Sequence, residues 1–469
     1  MPDTSQPERY DVVVIGGGAV GENAAGYTAD HGLSTALVER ELVGGECSYW
    51  ACMPSKALLR PGEVLAEARR VPAAADAVTG AVDAAAALKS RDAFVSHWDD
   101  KHQVAWVQGA GIELVRGTGR LIAPRRVEVT RPDGTSRVLE ATRAVVLATG
   151  SRAAFPPVEG LGQAGAWDNR DITTVDRVPE RLLVLGGGAV GVEMAQAFRR
   201  LGSREVTVVE LFDRLLAVEE PFAGAQLRAA FEAEGITVHT EAETTRASRR
   251  PDGEVVLELA DGREIVGDEL LVATGRRPAT DDLGVDTVGL EPGQNVAVDD
   301  RLRATGVDGD WLYAVGDVNG RALLTHQGKY QARIAADVIA GRDSTAVADQ
   351  RAVPRVVFTD PQVAAVGLTE QRARDAGIAV SVLTQDLGAT AAGALHGTDT
   401  VGTAQLVVDT PRRTIVGATF TGPGAAELLH AATVAIAGRV TLDELWHAVP
   451  AFPTLSEVWL RLLEADRDR

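Results

Sequence analysis

The sequence predicts an α/β protein of several domains, in which one nucleotide-fold unit built on a parallel sheet occurs twice. Two apolar runs, DVVVI at 11–15 and RLLVL at 181–185, are each typical of a buried parallel strand. Each run is followed directly by the same six residues, GGGAVG. A chain of 469 residues also exceeds what one hydrophobic core usually supports, so two to four domains are expected.

Composition narrows the possible partners and the compartment. The net charge of −19 argues against nucleic acid and anionic membranes as main partners. No apolar run approaches the length of a membrane span, and the first residues lack the basic and apolar regions of a signal peptide. We therefore expect a cytoplasmic protein. In that reducing compartment, two neighbouring cysteines are more often catalytic or metal-binding than structural.

The first glycine-rich unit has the order expected of a dinucleotide-binding βαβ unit. Gly16 allows the tight turn, Gly18 lets the backbone approach a pyrophosphate, and Gly21 lets the following helix pack on the strand. The helix N-terminus then faces the phosphates. The next strand, TALVE, ends on Glu39, whose carboxylate can accept the ribose hydroxyls.

The second unit repeats this pattern with Gly186, Gly188 and Gly191, and its next strand, VTVVE, ends on Glu210. An acid at that position bonds a ribose 2′-hydroxyl and repels a 2′-phosphate, which favours NADH over NADPH. Arg214 lies close enough in sequence to act in the opposite direction. Two dinucleotide sites in one chain indicate that hydride passes between two dinucleotides.

Three further segments have the form of a strand followed by a functional turn. AVVLATGS (144–151) and ELLVATGR (269–276) are apolar strands ending in Ala-Thr-Gly, where the chain could cross between domains. WLYAVGD (311–317) ends on Asp317, which either holds a sugar-like hydroxyl or caps a helix.

The two cysteines of the chain stand in GGECSYWACMPSK (44–56) as Cys47 and Cys52. Five residues of α-helix rise about 7.5 Å, more than the roughly 4.4–6.8 Å between the Cα atoms of a disulfide. Cys47 must therefore lie in a turn or a distorted helix start, with Cys52 in the first regular turn. A helix N-terminus stabilises thiolate, so the sequence favours a redox pair over two packed thiols.

Taken together, these motifs resemble those of the pyridine nucleotide–disulfide oxidoreductases, the class of dihydrolipoyl dehydrogenase, glutathione reductase and mercuric reductase. The cysteine segment is similar to that family's GGTC-x4-CxPSK, and GGGAVGVE, both ATG segments, YAVGD and PTLSE support it. The resemblance runs from about residue 9 to 464 and implies two Rossmann-like domains and a C-terminal α+β domain that forms a homodimer. The implied bounds are 1–155 and 276–347 for an FAD-binding domain, 156–275 for an NAD-binding domain, and 348–469 for the interface domain.

The resemblance also implies residue roles. Cys52 would face the flavin, Cys47 would meet a small-molecule electron acceptor, and Lys56 would lie by the flavin N5 region. FAD would be bound by Gly16, Gly18, Gly21, Glu39, Gly45, Lys56, Gly119, Gly150, Asp317 and Thr325. The nicotinamide cofactor would be bound by Gly186, Gly188, Gly191, Glu193, Glu210 and Gly275. The implied catalytic set is Cys47, Cys52, Lys56, Glu193 and Glu457, without a metal.

One position departs from this family. Disulfide reductases carry a histidine before the Pro-Thr of the C-terminal motif, and it shuttles a proton for the outer cysteine across the dimer interface. Here the stretch reads HAVPAFPTLSE, so Phe452 takes that position while Glu457 is retained. A positioned base typically contributes about 10²–10⁴-fold. His447, His326 and Glu457 are candidate substitutes, each with a structural alternative.

The cysteine loop carries unusual residues too. Glu46 replaces a usual threonine, and Tyr49 and Trp50 replace smaller residues. The two aromatic rings either narrow the pocket and stack on a flat substrate or pack the helix against its neighbour.

Three functions remain open from the sequence. The leading interpretation is an FAD enzyme that passes electrons from NADH to Cys47 and Cys52 and then to a small disulfide. A rival is a quinone, dye or metal-ion reductase that does not need the missing base. Mercuric reductase itself is not supported, because this chain ends EADRDR where those enzymes carry a cysteine pair. The third interpretation is a subunit that binds flavin and catalyses no reaction.

Overall fold

The computed structural model describes residues 7–397 and 399–468, so the extreme ends of the first and last predicted domains lie outside the described residues. The strands are β1 (Glu8–Ile15), β2 (Thr35–Glu39), β3 (Glu113–Arg116), β4 (Thr118–Ala123), β5 (Arg126–Thr130), β6 (Ser136–Leu147), β7 (Ser151–Ala153), β8 (Arg181–Leu185), β9 (Glu205–Val209), β10 (Ile236–His239), β11 (Thr244–Arg249), β12 (Val255–Leu259), β13 (Glu264–Gly267), β14 (Glu269–Val272), β15 (Arg276–Pro278), β16 (Leu312–Ala314), β17 (Pro354–Val357), β18 (Gln362–Gly367), β19 (Val380–Asp386), β20 (Thr403–Asp409) and β21 (Thr414–Gly422). The helices are α1 (Gly21–Asp30), α2 (Gly45–Tyr49), α3 (Cys52–Arg70), α4 (Pro72–Ala75), α5 (Ala84–Phe94), α6 (Lys101–Gly109), α7 (Asn169–Thr174), α8 (Ala189–Leu201), α9 (Pro221–Ala233), α10 (Thr325–Ile339), α11 (Ala348–Arg351), α12 (Glu370–Asp375), α13 (Ala391–Leu395), α14 (Ala425–Gly438), α15 (Leu442–Leu445) and α16 (Glu457–Arg467).

The first of two compact units contains the chain up to Pro54, Asp92–Ala154 and Arg276–Gln350. Its sheet has the order β3-β2-β1-β6-β5-β4, parallel from β3 to β6 and antiparallel through β5 and β4. Strand β16 pairs in parallel with the end of β6. Strand β1 pairs on both sides, and its last four residues are buried, as a continuous apolar run predicts.

The second unit contains Ser55–Arg91, Phe155–Gly275 and the chain from Arg351 onwards. It holds a parallel sheet of order β10-β9-β8-β14 and a small antiparallel sheet, β11-β12-β13. Its other sheet is antiparallel, with the order β17-β18-β21-β20-β19, and α14 and α16 pack against it around Phe420 and Trp459. Two parallel nucleotide-fold sheets and a C-terminal α+β region confirm the predicted fold class.

Residues 55–91 group differently from the predicted first domain. Leu58 and Leu59 of α3 belong to the buried cluster that contains Phe198 of α8, and the buried Arg91 donates to the carbonyl oxygens of Thr173 and Val175. These packing contacts explain why this segment groups with the second unit. The three domain ranges given above stay a prediction.

Among the residues that the structure describes, no helix has the length and apolar character needed to cross a bilayer.

Candidate active site

The first glycine turn contains glycines that the fold requires and one with open space beside it. Gly16 has φ +99°, and a Cβ there would lie 2.5 Å from the carbonyl oxygen of Ala148. A Cβ on Gly21 would overlap the carbonyl oxygen of Gly16. A Cβ on Gly18 would meet nothing nearer than the Gly45 Cα at 3.9 Å. Gly16 and Gly21 thus shape the turn, while Gly18 leaves room for a ligand.

Glu39 ends β2 beside this turn, and backbone amides hold its carboxylate. Its Oε2 accepts the N–H of Gly17 at 2.6 Å, and its Oε1 accepts the N–H of Glu41 at 2.6 Å. Burial raises the pKa of Glu39, and the two amide hydrogen bonds oppose that rise. The side chain is therefore fixed in orientation without any ligand.

The second glycine turn repeats this construction in the other unit. Gly186 has φ +109°, and a Cβ there would lie 2.6 Å from the carbonyl oxygen of Ala273. Nothing lies within 4 Å of a Cβ placed on Gly188, whereas one on Gly191 would overlap the Gly186 oxygen. Glu210 follows β9 directly and accepts the backbone N–H groups of Gly187 and Phe212.

Arg214 turns towards its own loop. Its Nη1 lies 3.1 Å from Asp213 Oδ1, and its Nη2 donates to the carbonyl oxygen of Ala217 at 3.1 Å. The two terminal nitrogens are therefore engaged within the residue's own loop, whereas Nε is buried without a hydrogen-bond partner among the described residues.

Further predicted cofactor residues occupy open or polar positions. A Cβ on Gly150 or on Gly275 would find no atom within 4 Å, and both residues have positive φ. The hydroxyl of Thr149, which the sequence analysis did not single out, is buried without a protein partner. Open backbone and an orphaned hydroxyl fit a bound dinucleotide.

Asp317 lies in a 3-10 turn, Gly316–Asn319, in which no side chain forms a cap. Its Oδ2 accepts the Ser151 hydroxyl at 2.5 Å, and Arg276 Nε lies 3.7 Å from the same oxygen. Burial raises the pKa of Asp317. The hydrogen bond from Ser151 and the charge of Arg276 oppose that rise. The helix-capping alternative is therefore wrong, and Ser151 and Arg276 are partners that the sequence analysis missed.

Two predicted glycines have a packing explanation. A Cβ on Gly119 would lie 3.0 Å from side-chain carbons of Ile15 and Val38. A Cβ on Gly45, at φ +56°, would lie 2.7 Å from the Gly18 Cα. Close packing alone accounts for the absence of side chains at both positions.

The cysteine segment is attached to the first glycine turn. The N–H of Gly44 donates to the Gly17 carbonyl at 2.8 Å. Cys47 then lies in the short helix α2, and Cys52 is the first residue of α3, as the spacing predicted. The two side chains are not joined by a disulfide in this structure, and Cys47 forms a hydrogen bond with Cys52.

Thr325 begins α10 with its Oγ1 3.5 Å from Cys52 Sγ. The pKa of Cys47 is raised, first by its hydrogen bond with Cys52 and then by burial. The reduced pair therefore holds one proton strongly, which suits a couple that works with a single thiolate.

The aromatic residues of the loop have different surroundings. Tyr49 is 1% exposed, and its carbonyl oxygen accepts Trp98 Nε1–H at 3.1 Å. Tyr49 therefore packs the loop. Trp50, whose ring centroid is 5.7 Å from that of Tyr49, is partly exposed.

Lys56 and Glu193, two members of the implied catalytic set, form an ion pair. Lys56 Nζ lies 2.7 Å from Glu193 Oε2, and their side chains are 35% and 6% exposed. Glu193 Oε1 accepts the N–H of Phe358 at 3.0 Å, and Lys56 Nζ lies 4.8 Å from the Phe358 ring centroid. No sequence signal indicates Phe358, because tertiary packing alone brings this residue to Lys56 from 302 positions away.

Glu457 of the C-terminal motif contacts a backbone amide and an arginine side chain. Glu457 starts α16, and its oxygens accept the Ala391 N–H at 3.3 Å and pair with Arg461 at 2.9 Å. These bonds match a structural role for Glu457, and its catalytic role stays a prediction. Phe452 is 73% exposed, and His447 and His326 are also exposed.

Comparisons with known proteins identify the family of this chain. The model of the pyridine nucleotide-disulphide oxidoreductase family matches residues 10–336, and that of its dimerisation domain matches residues 353–462. The chain is 36% identical over 456 residues to a dihydrolipoyl dehydrogenase of Chlorobaculum tepidum, covering 96% of this chain and 95% of that one. It is also 36% identical over 454 residues to a mercuric reductase of Streptomyces lividans, covering 93% of each.

Among solved structures, the Cu(II) complex of the HOCl-induced flavoprotein disulfide reductase RclA from Escherichia coli aligns with a TM-score of 0.85. Its identity is 25%, over 98% of this chain and 99% of that one. The chain belongs to the pyridine nucleotide-disulphide oxidoreductase family and is an FAD-dependent enzyme that uses NAD(P)H.

Proposed function

We propose that this enzyme takes electrons from NADH and delivers them through Cys47 and Cys52 to a small disulfide. The observation that carries this proposal is the cysteine pair, with Cys47 in α2 and Cys52 at the start of α3, in a segment bonded to the first glycine turn and contacted by Thr325. Two thiols packed only for structure would not need a helix N-terminus, a polar hydroxyl contact and an attachment to a nucleotide-binding turn.

The chain's residues suit both cofactors. The FAD phosphates and flavin would lie against Gly18, Gly150 and the Thr149 hydroxyl. The Glu39 carboxylate would accept hydrogen bonds from the ribose hydroxyls. When bound, FAD supplies the two-electron chemistry that joins the nicotinamide to the dithiol. The Glu193 carboxylate would hold the Lys56 side chain in a fixed position through their ion pair. Residues 156–275 would bind the nicotinamide cofactor through Gly188, Gly275 and Glu210.

The dithiol then performs thiol–disulfide exchange. Cys47, the outer cysteine, attacks the acceptor, and its pair Cys52 displaces the product by closing the enzyme disulfide. The helix N-terminus at Cys52 stabilises the thiolate needed for the second attack.

NADH is the preferred donor in this proposal. The Glu210 carboxylate would accept the ribose 2′-hydroxyl and repel a 2′-phosphate. Arg214, the cation nearest in sequence, uses its two terminal nitrogens on Asp213 and on the carbonyl oxygen of Ala217.

We also propose a cytoplasmic homodimer formed through residues 348–469. The dimerisation-domain match supports this assembly, and so does the exposed apolar pair of Val449, at 86%, and Phe452, at 73%. Burying both in a partner subunit would remove this apolar surface from water.

A second candidate function is direct reduction of a quinone, dye or metal ion by the flavin. Phe452 favours it, since these acceptors need no proton donor at the outer cysteine.

Steady-state NADH oxidation separates the two candidates. Turnover with lipoamide that Cys47→Ser abolishes is the expected result. Turnover with a quinone that Cys47→Ser leaves intact, without any disulfide turnover, would replace the first candidate by the second.

A further inference from the structure

Three consecutive residues in the connection between α5 and α6 have a left-handed backbone. Ser96, His97 and Trp98 have φ angles of 53°, 52° and 57°, although none of them is glycine. Residues other than glycine visit this region singly, because their Cβ crowds the following carbonyl oxygen. A run of three is therefore strained, and it persists only where its surroundings determine the conformation.

The side chains at the end of this turn bind the cysteine segment at two points. Trp98 Nε1–H donates to the carbonyl oxygen of Tyr49, the last residue of α2, at 3.1 Å. Asp100 Oδ2 accepts the backbone N–H of Val43 at 2.8 Å. We call residues 96–100 the strap, because they hold the chain just before α2 and at its end.

The stretch between these two points, residues 43–49, contains Cys47 and needs outside support. Gly44 and Gly45 have positive φ angles, and α2 has only five residues, too few for a helix that is stable by itself. The bond from the Gly44 N–H to the first glycine turn supports its beginning. The strap adds a contact at its end, two residues after Cys47 and three before Cys52.

Arg116 of β3 fixes one end of the strap to the sheet of the first unit. Its guanidinium donates to Asp100 Oδ2 and to the carbonyl oxygen of Glu41. Strand β3 pairs in parallel with β2, so this arginine stands on a regular part of the fold. The Asp100 side chain is 14% exposed. The strap thus transmits the position of the sheet to the cysteine stretch.

We propose that the strap is a positioning element that keeps Cys47 close to Cys52 and so favours their disulfide over the two thiols. This role rests on the proposed redox use of the cysteine pair. A disulfide requires Cα atoms about 4.4–6.8 Å apart, whereas two thiols do not. The strap limits the freedom that the reduced stretch gains when the S–S bond breaks. Because the reduced form is held in advance, closing the disulfide costs less conformational entropy.

The equilibrium between disulfide and dithiol measures this effect directly. The FAD-loaded enzyme is equilibrated with mixtures of reduced and oxidised dithiothreitol. Reduced dithiothreitol gives two electrons and two protons to the enzyme disulfide, whose S–S bond breaks while the reagent closes to its cyclic disulfide. After an acid quench, free thiols are alkylated, and the mass of the peptide with Cys47 and Cys52 gives the reduced fraction.

Trp98→Phe keeps an aromatic ring and removes the N–H that binds Tyr49. It should shift the equilibrium towards the dithiol by about threefold to tenfold, the range of one hydrogen bond. Asp100→Ala removes the other contact and should shift it in the same direction. Ala105→Gly, at an exposed position of α6, should lower stability and leave the equilibrium unchanged. Trp106→Phe, which changes an exposed tryptophan of α6, should also leave it unchanged.

Wild-type equilibrium constants in both Trp98→Phe and Asp100→Ala would overturn the proposal. A different result would overturn the proposed function, and the role of the strap with it: a wild-type pair that stays reduced in oxidised dithiothreitol forms no disulfide for the strap to favour.

The strain in the turn is tested at His97, whose side chain is exposed. Glycine adopts a positive φ without the Cβ crowding that alanine keeps. His97→Gly should therefore unfold at a higher temperature than His97→Ala, followed by circular dichroism of the FAD-loaded enzyme. This order is the opposite of the one expected at a helical position. A higher midpoint for His97→Ala would show that the turn is unstrained and would overturn the inference that its surroundings hold it.

Discussion

Removing one partner of the Lys56–Glu193 pair should cost different amounts of stability depending on which partner is removed. Lys56→Met leaves Glu193, 6% exposed, as a buried carboxylate with only the Phe358 N–H as donor. Such an uncompensated charge costs about 3–5 kcal/mol. Glu193→Gln leaves Lys56, 35% exposed, able to reach water, and the amide oxygen still accepts the Phe358 N–H. That change should cost about 1 kcal/mol.

The difference is measured by urea unfolding of the FAD-loaded enzyme, followed by tryptophan fluorescence. The Lys56→Met midpoint should fall well below that of Glu193→Gln. Lys89→Met, an exposed lysine of α5, serves as the control and should stay within about 0.5 kcal/mol of wild type. Equal midpoints for the two pair variants, or a lower one for Glu193→Gln, would show that the buried-charge reasoning is incorrect.

Three further predictions concern the glycine turn, the donor and the proton path. Gly191→Ala should prevent folding because its Cβ would overlap the Gly186 oxygen, and a low soluble yield would show this. Gly188→Ala should fold with a higher KM for NADH, because open space lies beside that residue. A well-folded Gly191→Ala variant would contradict the reasoning. Glu210→Ala should lower the preference for NADH, measured as kcat/KM with NADH divided by kcat/KM with NADPH, by about tenfold or more. This factor corresponds to the free energy of one hydrogen bond to a charged group. An unchanged ratio would count against Glu210 as the ribose partner. Phe452→His should raise lipoamide turnover by about tenfold or more. No increase in a folded, FAD-loaded variant would show that the missing histidine does not limit the rate of turnover.

The repeated nucleotide fold was predictable because its signals are local. A buried strand, a glycine turn that forbids a side chain at Gly16 and Gly186, a helix and a terminal acid follow one another within about 30 residues. Each step depends on backbone geometry that a few neighbouring residues determine. The position of Cys52 at a helix start was predictable for the same reason, from the length of a disulfide alone.

The partners of the site residues were not predictable, because tertiary packing brings them from distant parts of the chain. Phe358 contacts Lys56 across 302 positions, and Ser151 meets Asp317 across 166. The grouping of residues 55–91 likewise follows from side-chain packing that has no sequence motif.

The most direct test of a working dithiol is an anaerobic NADH titration of the purified enzyme, followed by absorbance. Uptake of four electrons per FAD is predicted, with a long-wavelength band at the halfway point from the Cys52 thiolate beside the oxidised flavin. Uptake of only two electrons, with direct bleaching of the flavin, would show that Cys47 and Cys52 take no part in electron transfer and would contradict the account.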